Sequence, residues 1–268
     1  MSQKNFFADY FDRFNSLIKR VVNVRVIAGF ESWSVLIGQW ILVAVLVLGA
    51  ISSVKASGGD AGSIFLALGI MILGFILIFV SAKFLEGLRG LVDAAPTGFS
   101  SRVIPDVLGL ALSVAAVVSA ILMLVKLIQG ELAPFISMLV AAILFYVLAS
   151  AVYDDEATNI QVGNQYSPGE ELISIPLLAV KAILVALPVS FGILSLGTLI
   201  FQIYALASPD GGMLLSYMSV LPGMSWLISM GSMALIPILL PLYSYVVFLI
   251  ISFLAGIFQG LLSLKRKS

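Results

Sequence analysis

The feature that most constrains this chain is a series of apolar runs, each long enough to cross a bilayer as one helix. Four of them cover 32–54, 62–82, 106–128 and 133–153. About 20 apolar residues form a helix about 30 Å long, which matches the hydrocarbon core of a membrane. Because the links 55–61 and 129–132 are short, consecutive helices must be antiparallel neighbours. The sequence therefore predicts two transmembrane hairpins within 32–153.

The composition of the chain favours membrane insertion and argues against catalytic activity. The chain is 61% hydrophobic and only 10% charged, whereas soluble domains carry roughly a quarter charged residues. It contains no cysteine and no histidine, which excludes disulfides, thiolate nucleophiles, the usual zinc sites and Ser-His catalysis. Phosphate-binding glycine motifs and paired catalytic carboxylates are absent too. We expect no enzyme activity, no cofactor, no metal and no nucleic-acid partner.

The second half is less regular than the first. At about 1.5 Å per residue, 172–207 would form a helix roughly 50 Å long, which is too long for one upright crossing. Pro176 and Pro188 offer places to break or kink it. We favour an interfacial or tilted segment up to about Pro188, followed by a span that ends near Ala207.

Two further apolar runs follow. The run 213–233 is interrupted by Pro222-Gly223, so it is either a re-entrant pair of half-helices or one poor span. The last run, from about 234 to 262, crosses the membrane, with Pro237 and Pro241 near its start. We predict an all-α polytopic membrane protein with about six spans, and seven or eight stay open.

The resulting organisation has five parts, and the distribution of Lys and Arg orients them. Bases concentrate in the N-terminal arm, after the second span and in the tail, which predicts that both termini are cytoplasmic in a prokaryotic inner membrane. With six spans the loop after the fourth is cytoplasmic too, although it holds no base. The parts are an amphipathic arm (1–31), two hairpins (32–153), an acidic loop (154–171), a membrane region with Pro-interrupted helices (172–262) and a basic tail (263–268).

The N-terminal arm has the clearest helical pattern in the chain. At 100° per residue, the apolar side chains of 5–23 occupy one face and the charged side chains the other. Such a helix lies in the headgroup plane or packs on a partner. The residues that would mediate this contact are Phe6, Phe7, Tyr10, Phe11, Phe14 and Leu17, with Lys19 and Arg20 on the polar side.

Lys181 is the one ionisable residue well inside an apolar run. If 172–187 lies flat, Lys181 and Ser174 belong to the wet edge of an interfacial helix, which is the alternative we favour. If that segment crosses, the two residues form an intramembrane polar site between helices. Burial of a lysine costs several kcal/mol unless its ammonium group is paired.

The acidic loop contains five carboxylates that fall into two groups. Ser167 to Glu170 reads as a capping box with Pro168 at the first helical position, and Glu171 joins Glu170 in the first turn. Asp154, Asp155 and Glu156 follow the end of a span, where acids are unfavourable. They are either a solvated cluster or a docking site for a basic partner surface.

Gly256 and Gly260 form a GxxxG pattern for close helix packing. Such patterns more often make internal contacts than dimers, although a homo-oligomer stays open. Our leading hypothesis is a non-catalytic structural or accessory subunit that contacts the lipid bilayer and other membrane-protein subunits. The alternatives are a small-solute channel or transporter that uses broken helices, and, as a weaker one, a membrane-shaping protein.

Overall fold

A computed structural model describes residues 24–56, 61–163, 166–207 and 225–267. Six helices among these described residues are long and apolar enough to cross a membrane. The chain is therefore an all-α polytopic membrane protein, and the six spans that we predicted are all found in the described ranges. The predicted arm, 5–23, and the Pro222-Gly223 interruption lie outside the described residues. The elements are α1 Val24–Ala56, α2 Ala61–Ala94, β1 Thr97–Phe99, α3 Val103–Ile128, α4 Leu132–Tyr153, α5 Asp155–Thr158, β2 Ile160–Val162, α6 Pro168–Ala207 and α7 Ser225–Lys267.

The helices belong to two compact units, and the first contains Leu88–Ala186 and the part of α7 from Val247 onward. Its core is the α3–α4 hairpin. The buried face of α3 carries only small residues and one proline, namely Pro105, Gly109, Ser113, Ala116 and Ser119. A side chain at Gly109 would meet the Tyr153 ring at 2.7 Å. The small face of α3 thus lets the last turn of α4 pack closely against it.

The second unit contains Glu31–Gly87 and Leu187–Val246. Within it α1 approaches α6 at Gly38 and Gly192. A Cβ at Gly192 would lie 2.9 Å from the backbone oxygen of Ser34, and one at Gly38 would lie 3.2 Å from Gly192 Cα. The absence of two side chains therefore allows two helix backbones to touch. In the same unit α2 meets α7 through Phe84 and Tyr245, whose rings are 5.0 Å apart.

We expected the prolines of α6 and α7 to break or kink these helices, and within the described residues they do not break them. The helix α6 is continuous through Pro176 and Pro188, and α7 is continuous through Pro237 and Pro241. A proline removes one backbone hydrogen bond, but neighbouring helices and small local adjustments in a membrane bundle can compensate for that loss. Lys181 is completely buried, so it does not lie at a water-exposed edge of 172–187, where we predicted it.

The great length of α6 has a simple explanation in its contacts. Ala182 packs against Ala151 and Val152, in the last turn of α4, whereas Leu178, one turn earlier, packs against Phe99 and Ile160 of the two strands. The first part of α6, up to Lys181, therefore extends about 20 Å beyond the end of α4. That part lies beside the connectors.

Candidate functional site: a polar cap around Lys181

The connectors after α2 and α4 form a small ordered structure, which we call the cap. It consists of the described residues of 93–102 and 154–167. Its centre is the parallel pair of β1 and β2, in which Thr97 faces Ile160 and Phe99 faces Val162. Thr97 N donates to Asn159 O (3.0 Å), and Gly163 N donates to Phe99 O (2.9 Å). Because these two connectors are hydrogen-bonded to each other, they lie on the same side of the membrane.

Local interactions explain why the second connector adopts this path. The carboxylate of Asp154 accepts a hydrogen bond from Glu156 N (3.0 Å) and caps the one-turn helix α5. The helix ends at Asn159, which adopts the left-handed conformation (φ 47°) that asparagine tolerates better than most residues. The Asn159 side chain then donates to the backbone oxygen of Asp93 (2.6 Å). Asn159 thus ends α5 and joins the connector to α2.

A bidentate ion pair joins the two connectors. Both terminal nitrogens of Arg102 donate to the Asp155 carboxylate, at 2.7 and 2.8 Å. The Arg102 side chain also lies 3.9 Å from Asp106 at the start of α3. Since both partners of the bidentate pair are more than one-third exposed, it contributes at most about 1 kcal/mol. Its main effect is geometric, because two parallel hydrogen bonds fix the orientation of α5 relative to α3.

The capping box predicted at the start of α6 is present. Ser167 N donates to Glu170 Oε2 (2.6 Å), and Glu170 N faces Ser167 Oγ at 3.4 Å. The helix begins at Pro168, the predicted first position. Glu171 accepts a hydrogen bond from Ser100 N of the first connector. The first turn of α6 is therefore held by both connectors.

Lys181 is the buried charge at the base of the cap. Its ammonium group donates to Thr158 O at 2.8 Å, and the carboxylate of Asp93 is close enough to attract it. A backbone carbonyl and a nearby opposite charge offset part of the cost of removing this ammonium from water. Lys181 therefore joins the middle of α6 to the end of α5.

Two buried hydroxyl groups belong to the same region. Ser174 and Thr97 are 1% and 0% exposed, and their side-chain oxygens have no hydrogen-bond partner among the described residues. Ser174 lies on α6 two turns before Lys181, about 10 Å away along the axis. The structure thus buries both members of the predicted polar pair, and only Lys181 has an identified hydrogen-bond partner.

No family profile, curated protein or solved structure matches this chain. The predicted acidic cluster and Lys181 nevertheless prove to be parts of one structure, since Asp154 and Asp155 shape α5 and Lys181 binds its last residue. Glu156 is the exposed member of the acidic cluster. Within the described ranges, no acidic side chains converge in a group that could hold a metal ion.

Sequence reasoning missed several residues that build the cap, among them Asp93, Arg102, Thr158 and Asn159. Two of them act through backbone oxygens, which have no residue signature. One sequence feature that could have indicated the cap is Arg102. It is a base directly before a span, and the acidic second connector offers it a partner. The contacts of these residues fix the two connectors relative to each other and direct the Lys181 ammonium group towards protein atoms. The cap is therefore suited to being a rigid structural element.

Gly98 offers a direct test of how tightly the cap is packed. A Cβ there would lie within 2.6 Å of the Tyr166 ring, whose hydroxyl group donates to Gln161 (2.9 Å). We expect Gly98→Ala to displace the ring and to lower the free energy of unfolding by about 1 kcal/mol. Gly90→Ala is the matched control, because a Cβ there meets nothing described within 4 Å. Chemical denaturation in detergent, followed by circular dichroism, measures both; equal midpoints would contradict tight packing.

Proposed function

We propose that the protein is a non-catalytic structural or accessory subunit of a larger membrane assembly, with the cap as a preformed docking platform. The observation that carries this proposal is the use of Lys181. Its buried ammonium group donates to a backbone oxygen of the second connector. This hydrogen bond fixes the position of the cap and of the surface that the cap exposes. A rigid surface loses little conformational entropy when a partner binds.

We further propose that the cap faces the cytoplasm of a prokaryotic cell, together with both chain termini. The pairing of the two connectors supports this orientation. The first connector follows Lys83 and Arg89 and contains Arg102, whereas the second contains no base. Because β1 and β2 pair, the basic connector determines the side for both. The absence of bases from the acidic loop therefore no longer conflicts with six spans.

Transport is less well supported by the described residues. A carrier that used Lys181 would need its ammonium group to face a water-filled route, whereas this group faces Thr158 O. The transporter hypothesis also depended on helix ends exposed at proline breaks. Both α6 and α7 continue through their prolines, so those ends are not formed at Pro188, Pro237 or Pro241. The fourth expected position, Pro222-Gly223, lies outside the described residues.

Glu156 is the residue of the acidic cluster best placed to meet a partner. Asp154 caps α5 and Asp155 pairs with Arg102, whereas the Glu156 side chain is exposed. We propose that it contacts a basic patch on a partner subunit. An exposed charge at the rim of an interface changes affinity modestly, by about 1 kcal/mol or roughly fivefold.

Affinity purification of the tagged chain from its native membrane in mild detergent tests both parts of this proposal. We expect a membrane protein to co-purify in stoichiometric amount, and Glu156→Ser to lower its recovery roughly fivefold. Glu131→Ser is the control, because Glu131 is exposed in the 129–132 link and pairs with Lys126. A chain that purifies alone, as a monomer or a symmetric oligomer, would overturn the subunit proposal. Equal recovery from both variants would overturn only the role of Glu156.

A further inference from the structure

We propose that the α1–α2 hairpin carries a binding groove for one acyl chain of a membrane lipid. This inference is independent of the subunit proposal, because it concerns a different part of the chain. The groove has a volume of about 550 Å³ and lies between the second half of α1 and the first half of α2. Its lining residues are Val47, Ala50, Ile51 and Val54 on α1, and Ile64, Ala67, Leu68 and Met71 on α2.

The spacing of these residues explains why a groove exists. Each helix contributes positions i, i+3, i+4 and i+7, which form one face of a helix. Such faces usually interdigitate through large side chains, but here each includes an alanine. Ala67 is 5% exposed and forms the floor, whereas Ile51 and Leu68 are 60% and 45% exposed and form the rims. Large side chains at the rims and small ones within leave a hollow.

The groove is closed at one end by a close contact between the same two helices. A Cβ at Gly74 would lie 2.5 Å from the Leu46 side chain, so α2 and α1 meet directly there. From that contact the groove extends towards Val54 and Ile64, near the link between the helices. Its length along the axis is about 10 Å. An acyl chain that lies in the groove would therefore end at the contact between Gly74 and Leu46.

The chemistry of the lining selects the occupant. All eight residues are apolar, and both helices are among the six apolar enough to span. Water needs two or more polar partners to occupy a buried site, and a polar solute would leave its hydrogen-bonding groups unpaired. An acyl chain has no such groups and surrounds the hairpin in a bilayer. The volume lies in the usual range of ligand sites, about 300–1,000 Å³.

Native mass spectrometry of the full chain, purified in mild detergent, tests the inference. We expect the wild type to retain one phospholipid per chain, and Ala67→Trp, which fills the groove, to lower that occupancy at least tenfold. Leu73→Trp is the matched control, because Leu73 is on the same helix, 56% exposed and outside the groove. Equal retention by the two variants, or replacement of the lipid by detergent in the wild type, would overturn the proposal.

A second measurement covers the case in which Ala67→Trp fails to fold. The wild type is reconstituted into phosphatidylcholine vesicles in which a small fraction of the lipid carries a photoreactive group on its acyl chain. We expect crosslinked peptides to be enriched at least fivefold within 47–54 and 64–71, relative to exposed apolar residues of α3 such as Val117 and Ile121. Uniform crosslinking over all lipid-facing helices would mean ordinary surrounding lipid only, and would overturn the proposal.

Discussion

Replacing Lys181 with alanine is expected to lower the free energy of unfolding by about 3 kcal/mol. The substitution removes a hydrogen bond from a buried ammonium group to Thr158 O, and bonds of this charged kind contribute about 1.5–3 kcal/mol. It also leaves a cavity in place of the buried four-carbon stem. Denaturation in detergent micelles measures the loss. Lys181→Met keeps most of the stem, so we expect it to cost less than Lys181→Ala.

The same substitution should open the cap, and the absence of cysteine from this chain makes that opening measurable. Thr97 is fully buried in β1, so a cysteine introduced there should react slowly with a maleimide. We expect Lys181→Ala to raise the labelling rate of Thr97→Cys at least tenfold. Lys126→Ala is the control, because Lys126 pairs with Glu131 in a different link. If the rate does not change when Lys181 is removed, Lys181 is not what closes the cap.

Local features of the fold could be predicted from the sequence. Each span is a continuous apolar run, and the length of that run relative to the bilayer thickness is enough to identify it. The capping box at Ser167 and Glu170 is equally local, because the two side chains are three residues apart and satisfy one another. In both cases the physical cause lies within one segment, so no knowledge of neighbouring segments was required.

The cap could not be predicted for the opposite reason. Its strands have three residues each, which is too short for an alternating pattern. They pair across more than 60 positions of sequence, and their contacts involve backbone atoms. Lys181 was recognised as unusual, but its partner is a carbonyl group, which every residue possesses. Sequence could identify the charge that needed a partner, but not the partner itself.

The length of α6 is the feature that its sequence predicts least well. Compared with the thickness of a bilayer, all of 172–207 is too long for one upright helix. The structure keeps one helix, because its first part, up to Lys181, lies beside the cap. The comparison with a bilayer applies only to the part of a helix that lipid surrounds. Which part that is depends on the neighbouring connectors, which the length of a run does not reveal.

Within the described residues of one chain, close helix packing involves glycines that the GxxxG pattern does not mark. Gly256 and Gly260 were selected because they are four residues apart, yet both are exposed. A Cβ at Gly256 meets nothing described within 4 Å. One close contact between helix backbones is that of Gly38 with Gly192, which lie far apart in sequence and belong to no GxxxG pair. Spacing identifies a smooth helix face, whereas packing requires a second helix on that face.

Gly192→Leu is therefore expected to be among the most damaging single substitutions in the described part of the chain. Its Cβ would lie 2.9 Å from the Ser34 backbone oxygen, and a backbone atom cannot move aside as a side chain can. The two helices must separate, which we expect to lower the free energy of unfolding by about 3 kcal/mol. Gly38→Leu adds a side chain to the same contact from α1, and we expect it to lower the free energy of unfolding by a similar amount.

Gly256→Leu is the matched control, since it places the same side chain on an exposed face of another spanning helix. Thermal unfolding of the detergent-solubilised protein, followed by tryptophan fluorescence, should show a large decrease in midpoint for Gly192→Leu and almost none for Gly256→Leu. Equal decreases would show that both glycines are packed in solution, which would point to a second copy of the chain on the Gly256–Gly260 face. A tolerated Gly192→Leu would instead show that α1 and α6 do not touch there.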